Sequence, residues 1–357
     1  MFRGPFCVRM FCSLFVIAVG ATALGAAAWQ PASAPADATV RAVAAADAFL
    51  ATLDASRRTK ANPALDAKTR TIWSNLPTGI TMQVGVTERN GLKLGDMTSA
   101  QEKAALALLA ATLSRDGYQK VMAIVDADQV LETQSAPTRQ ASVRVRFGRA
   151  EYYLAILGKP SAASKWMLQF GGHHLAINAT FAGPQQVLTP THTGAQPASY
   201  SVEGRTVRPL GRENDKAFAL VNALNDAQRK QAVLGYQVMN LVLGPGTDGK
   251  TIEPEGVKAS TFTPTQRAML VDLAREWVDI LGPEASAAKM KEIDSNIANT
   301  YFAWAGPTTN GKGAYFRIQG PTVFIEYAPQ GPADGNTDHI HTIYRDPTND
   351  YADRVAR

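Results

Sequence analysis

The sequence predicts an α+β protein: helical N-terminal and middle segments packed with an antiparallel sheet, and a β-meander at the C-terminus. Three observations predict that class. Helix-start signals recur at Thr98-Ser-Ala-Gln101, Asn225-Asp-Ala-Gln228 and Thr263-Pro-Thr-Gln266, each placing a cap residue three before a glutamine. Aromatic and branched runs with turn residues behind them occupy the middle. Short alternating runs separated by Gly-Pro, Asn-Gly and Asp-Gly breaks fill the last third. Helices in blocks and strands in blocks are the α+β pattern.

Taken in order, the first residues read as a secretory signal over residues 1–28. Arg3 and Arg9 form a basic start, an apolar run follows from Met10 to Ala23, and Ala26-Ala27-Ala28 offers a cleavage site. The run is short for a membrane span and is interrupted by Gly20, so no stable span is expected after cleavage. Residues 29–38 read as a flexible lead-in, and 39–357 as a single domain. Val43, Ala46, Phe49, Leu50 and Leu53 carry helical spacing, predicting a helix over Thr39–Ser56. The helix starting at Ser99 is expected to stop at Gly117, with a second helix from Tyr118 to Leu131 packing back on it. The recurring caps read as a shared start signal, because the segments behind them differ too much for a repeat. Strands are expected at Glu151–Leu157, Trp166–Phe170, Thr300–Trp304, Ala314–Gln319, Thr322–Tyr327 and His339–Tyr344.

Composition narrows the function. Removing Arg3 and Arg9 with the signal lowers the formal charge from +5 to +3, a mild excess without basic–aromatic clusters, so no nucleic-acid partner is expected. Both cysteines, Cys7 and Cys12, fall inside the signal segment. The remaining chain therefore has no disulfide, thiolate nucleophile or Cys-ligated zinc, and a metal site must use nitrogen and oxygen. The expected location is periplasmic or secreted.

The five histidines fall in three segments: His173–His174, His192 and His339–Ile340–His341. On a strand, residues two apart share a face about 6.6–7 Å apart, so His339 and His341 can converge on one ion. Arg345 continues that face, and Glu326 and Arg317 reach it if the neighbouring strands pair alongside. His173 and His174 point opposite ways on a strand, unless Gly171–Gly172 introduces a bulge. Alternation makes His174 the third ligand and His173 an outer or proton-transfer group. His192, within Thr-Pro-Thr-His-Thr-Gly, reads as a loop residue. The bland alternative is a water-facing sheet side and a buried, hydrogen-bonded histidine.

Other motifs do not survive their context. Gly244-Pro-Gly-Thr-Asp-Gly249-Lys250-Thr251 matches the phosphate-loop letters, but Pro254 and Gly256 stop the helix that must follow, so no nucleotide is expected. Ser286-Ala-Ala-Lys289 lacks a Lys-Thr-Gly partner. Asp334-Gly-Asn336-Thr-Asp338 lacks the glycine and closing glutamate of a calcium loop and reads as a hairpin turn.

The blocks Trp166…Phe170-Gly-Gly-His-His-Leu-Ala-Ile-Asn178, Pro254-Glu-Gly256 and His339-Ile-His-Thr-Ile-Tyr-Arg-Asp346…Asn349-Asp350 resemble family 3500 of the domains of unknown function. The resemblance spans roughly Thr39 to Tyr351. It implies similar exported proteins without assigned activity, and by motif match it lends His173, His174, His339, His341, Arg345 and Asp346 to the site. In that pattern an aromatic usually stands at His192.

Three functional expectations follow. The first is a metal-dependent hydrolase or oxidoreductase with zinc or copper on His174, His339 and His341. His173 or Glu326 then moves the proton, and Arg345 with Arg317 clamps a small anionic substrate. The second is a metal-storage or delivery protein using the same ligands. The third is a metal-free acid–base site of His173 and His341 with Asp346 or Asp350.

Overall fold

The computed structural model describes Met1 and residues 35–79, 89–134, 145–330 and 337–355. The chain divides into Met1–Ala32 and Ser33–Arg357, and the second unit holds every helix and strand of the described residues. The signal segment expected at 1–28 lies outside the described residues but for Met1. No helix among them is long and apolar enough to cross a membrane.

The elements run in chain order α1 (Pro35–Ala51), α2 (Ala55–Ala61), β1 (Leu92–Lys93), α3 (Ser99–Thr112), α4 (Arg115–Gln134), β2 (Tyr153–Leu157), β3 (Trp166–Gly172), β4 (Leu175–Ala182), β5 (Gln185–Val187) and β6 (Thr191–Ala195). A small hairpin, β7 (Tyr200–Val202) and β8 (Arg205–Val207), leads to α5 (Gly211–Ala223) and α6 (Asp226–Ala232). The chain ends with β9 (Val257–Lys258), α7 (Pro264–Val278), α8 (Pro283–Ser295), β10 (Tyr301–Ala305), β11 (Tyr315–Gly320), β12 (Val323–Pro329) and β13 (Ile340–Arg345).

All three capping boxes form, at Thr98–Gln101, Asn225–Gln228 and Thr263–Gln266. Two helix boundaries differ from the sequence reading. The first helix starts at Pro35, inside the expected lead-in, and ends before Asp54, whose carboxylate accepts from the Arg57 amide and opens α2. Gly117 lies inside α4 rather than ending α3, because a Cβ there would sit 2.3 Å from the Ile280 carbonyl oxygen. Close packing, not helix termination, requires that glycine.

One sheet carries the fold, in the order β1-β2-β3-β4-β6-β13-β12-β11-β10-β9, with β5 beside β4 and every named pair antiparallel. The order is the same from either end. Two helices, a short strand, two more helices and a run of strands occur twice, and the halves meet where β6 pairs with β13. The recurring caps thus mark a repeated architecture, although the segments between them have diverged. Gly91 (φ +97°) and Gly256 (φ +95°) occupy equivalent turns, where a Cβ would fall 2.1 and 2.2 Å from the carbonyl oxygens of Leu154 and Phe302. The glutamines of the first and third boxes also tie back to the preceding helix pair, Gln101 to the Thr52 carbonyl and Gln266 to the Ala223 carbonyl.

Helices cover one face, where Phe49, Leu108, Val121 and Trp277 pack with Leu154, Phe170, Phe302 and Phe316. Irregular chain covers the other, with Trp73, Leu241 and Leu243 over Phe324 and Ile343, and Leu234 and Val238 over Tyr315 and Ala328. Gly244–Thr251 belongs to that cover, closed by a turn from the Lys250 amide to the Thr247 carbonyl, with no helix behind it. Ser286 and Lys289, both on α8, turn to different partners: Ser286 to Asp279, Lys289 to Asp346 and the Thr322 carbonyl.

Candidate metal centre

The β3–β4 hairpin ends in the two-residue turn His173–His174, flanked by the regular pairs Gly171↔Ala176 and Gly172↔Leu175. The expected bulge at Gly171–Gly172 is absent, and the distortion falls on His174 itself, at φ +63°. A left-handed conformation on a non-glycine residue costs about 1–3 kcal/mol and persists where surroundings impose it. Here four contacts impose it. The His174 amide donates to the Asn75 carbonyl at 2.9 Å, and the Tyr152 hydroxyl donates to the His173 carbonyl at 2.7 Å. His192 Nδ1 donates to the His174 carbonyl at 3.2 Å, and His173 Nδ1 meets Asp128 Oδ1 at 2.6 Å.

The turn lays the His174 ring against the strand that follows from the other half. His339 immediately precedes β13 and His341 lies on it. Nε2 of His174 is 2.8 Å from Nε2 of His339, which is 3.1 Å from Nε2 of His341. Two nitrogens bound tetrahedrally at about 2.0–2.1 Å lie about 3.3 Å apart, so small ring movements admit an ion. Proton counting favours one. The His339 nitrogen faces two others and can share only a single N–H, whereas a cation accepts all three lone pairs. These three buried or half-buried imidazoles could hold a metal ion, and so could the adjoining group Asp128, His173 and His174.

Burial also sets the charge state. Desolvation, reinforced by neighbouring imidazoles, lowers His174 well below the ordinary value and brings His192 to about 3, His339 to about 4 and His341 to about 2. All four are neutral at pH 7, the form that ligates metals. Gly194 on β6, paired with His341, leaves room for the cluster: a Cβ there would lie 2.7 Å from the Ile340 carbonyl oxygen and 3.2 Å from His174 Cβ.

His192 is not a loop residue. It lies on β6 wholly buried, its ring 5.2 Å from that of His341. With Nδ1 donating to His174, its Nε2 accepts from the Asn75 side-chain amide at 3.3 Å, so it supports the turn rather than joining the three converging imidazoles. Asp128 and Asn75 escaped the sequence reading. Asp128 had a legible signal: an acid on the buried stripe of α4 with Val121, Ile124 and Val125.

The remaining candidates have other partners. Glu326 does share the sheet face with Arg317, directly opposite it. Its carboxylate, however, accepts from the Val242 and Leu243 amides and the Tyr315 hydroxyl. Arg345 spends its donors on the Leu243 and Gly244 carbonyls and on Asp248 and Asp350, and Arg317 pairs with Glu255. Asp346 pairs with Lys289 and accepts from Thr348. These residues pin the irregular cover and the C-terminal turn to the sheet. Among the described residues, none of them hydrogen-bonds the three converging imidazoles.

No curated protein and no solved structure matches the chain. The family model for proteins of unknown function DUF3500 matches residues 35–353, so the histidine turn, both strands that meet it and the whole duplicated sheet lie within the match, and the chain belongs to that family.

Proposed function

We propose that this is an exported metal-dependent enzyme whose zinc or copper ion is held by Nε2 of His174, His339 and His341. The carrying observation is the convergence of those three neutral nitrogens, one from the first half of the sheet and two from the second. Three protein ligands, with His339 only partly buried, match an open catalytic site better than a closed structural one. A bound ion there would lower the pKa of a coordinated water to near neutrality, supplying the nucleophile for hydrolysis, or would bind oxygen if copper.

The surrounding residues have separate tasks. Asp128 fixes the ring of His173, which stacks on His174 with centroids 3.6 Å apart, and so holds that ligand from behind. His192 and Asn75 hold the backbone of the turn. His173 is the residue placed to move a proton beside the centre. With Arg345 and Arg317 committed to protein partners, an anionic substrate finds no clamp in them, and we propose a small-molecule substrate without assigning its charge. The basic and apolar start of the chain supports export.

The test uses full chain purified without a histidine tag. Bound transition metal should be about one ion per chain for wild type and near zero for His339→Ala with His341→Ala. In cobalt-loaded protein, azide should change the visible spectrum through an open position. A metal-free wild type removes the reading, and a spectrum indifferent to azide favours storage over catalysis.

A further inference from the structure

On the helical side of β13 a cavity of about 200 Å³ lies between the start of α5 and the ends of β12 and β13. It is separate from the histidine centre. Ile340 lines it from between His339 and His341, and packs in the helix-side core, away from the imidazole face.

Two features of its wall favour negative charge. Lys312, in a glycine-flanked loop of the wall, has no partner for its ammonium among the described residues. Tyr327 is only 3% exposed and lines the cavity, yet its hydroxyl has no hydrogen-bond partner among the described residues. A buried phenol normally finds a partner, so an open one marks where a ligand oxygen belongs. The other cation, Arg208, is engaged by Asp215 in a two-pronged pair, and no acidic side chain is among the described residues that line the wall.

We propose that this cavity binds a small organic anion. Its carboxylate or phosphate sits against the Lys312 ammonium and the Tyr327 hydroxyl. Its apolar body rests on Leu210, Pro329 and Ile340, the lipophilic part of the wall. The site is independent of the metal reading.

The experiment is calorimetric titration of the full chain with phenyl phosphate and with benzoate, and with benzyl alcohol as the uncharged control. One of the anions should bind saturably at one per chain, which also decides between phosphate and carboxylate, and the alcohol should not. Tyr327→Phe removes only an unpartnered hydroxyl, so it should fold as wild type while weakening the anion about tenfold, and Lys312→Ala should weaken it comparably. Binding should survive chelation and the His339→Ala, His341→Ala variant. The proposal is overturned by no saturable heat with either anion up to roughly 20 mM. It is overturned equally by the alcohol binding as well as the anions, by an affinity indifferent to both substitutions, or by binding that vanishes with the histidines.

Discussion

Gly194→Ala adds one methyl group at the junction of the two halves, and its effect can be worked from three distances. The new Cβ would lie 2.7 Å from the Ile340 carbonyl oxygen, 3.2 Å from His174 Cβ and 3.3 Å from His341 Cδ2. Comfortable contacts between carbon atoms are about 3.5–4.0 Å, so β6 must move from β13 by several tenths of an ångström, or two ligand rings must part. Overpacking of this size costs about 1–3 kcal/mol. Ligand displacement should also weaken metal binding by about 10–100-fold, the range seen when support around a metal site is lost. Gly235→Ala is the control, because nothing lies within 4 Å of its Cβ, and it should stay within about 0.5 kcal/mol of wild type. Urea unfolding of chelated protein reads the first effect, and competition with a zinc indicator reads the second. If Gly194→Ala unfolds and binds zinc as wild type does, the close approach of the two halves is not what builds the centre.

Three further outcomes follow from the same geometry. Chelated protein should lose stability on acidification, because below about pH 6.5 the unfolded imidazoles take up protons that the folded ones refuse until far lower pH. His192 alone, at about 3 when folded, should cost about 2 kcal/mol between pH 6.5 and 5, and a urea midpoint unchanged over that range would contradict the burial argument. Asp128→Ala should destabilise by about 1–3 kcal/mol, since it orphans the Gly148 amide and His173 Nδ1, with a measurable drop in zinc affinity as the His173 ring loosens behind His174. Arg345→Met should cost about 3–5 kcal/mol by stranding Asp248 and Asp350, yet leave metal content unchanged; a stable variant that loses its metal would return Arg345 to the site.

What could be read from the chain was mostly local chemistry. Cap residues three before a glutamine announced three helix starts to the residue, and aromatic alternation placed the C-terminal strands within a residue or two of Tyr301, Tyr315, Val323 and Ile340. The duplication was hidden because the halves share punctuation rather than core identity. Gly91-Leu-Lys93…Thr98…Gln101 parallels Gly256-Val-Lys258…Thr263…Gln266, while the side chains packed between have been exchanged within the volume limits a core tolerates. The histidine segments signalled a ligand set. Their geometry was not legible, because histidine is not a turn former and only Asn75, Tyr152, His192 and Asp128 together force His174 left-handed. His192 was misplaced for the related reason that the proline before it and the glycine after it suggested loop, whereas the strand forms by pairing with β13. Arg345 and Asp346 looked catalytic from adjacency to the motif, and only tertiary partners show what they hold.

The most direct measurement is X-ray absorption at the metal edge of full chain loaded with one equivalent of zinc. Convergence of His174, His339 and His341 predicts three imidazole nitrogens at about 2.0–2.1 Å plus one non-imidazole oxygen ligand, reduced to a single imidazole in His339→Ala with His341→Ala. A wild-type spectrum with fewer than three imidazoles, or one unaltered by the double substitution, would contradict it.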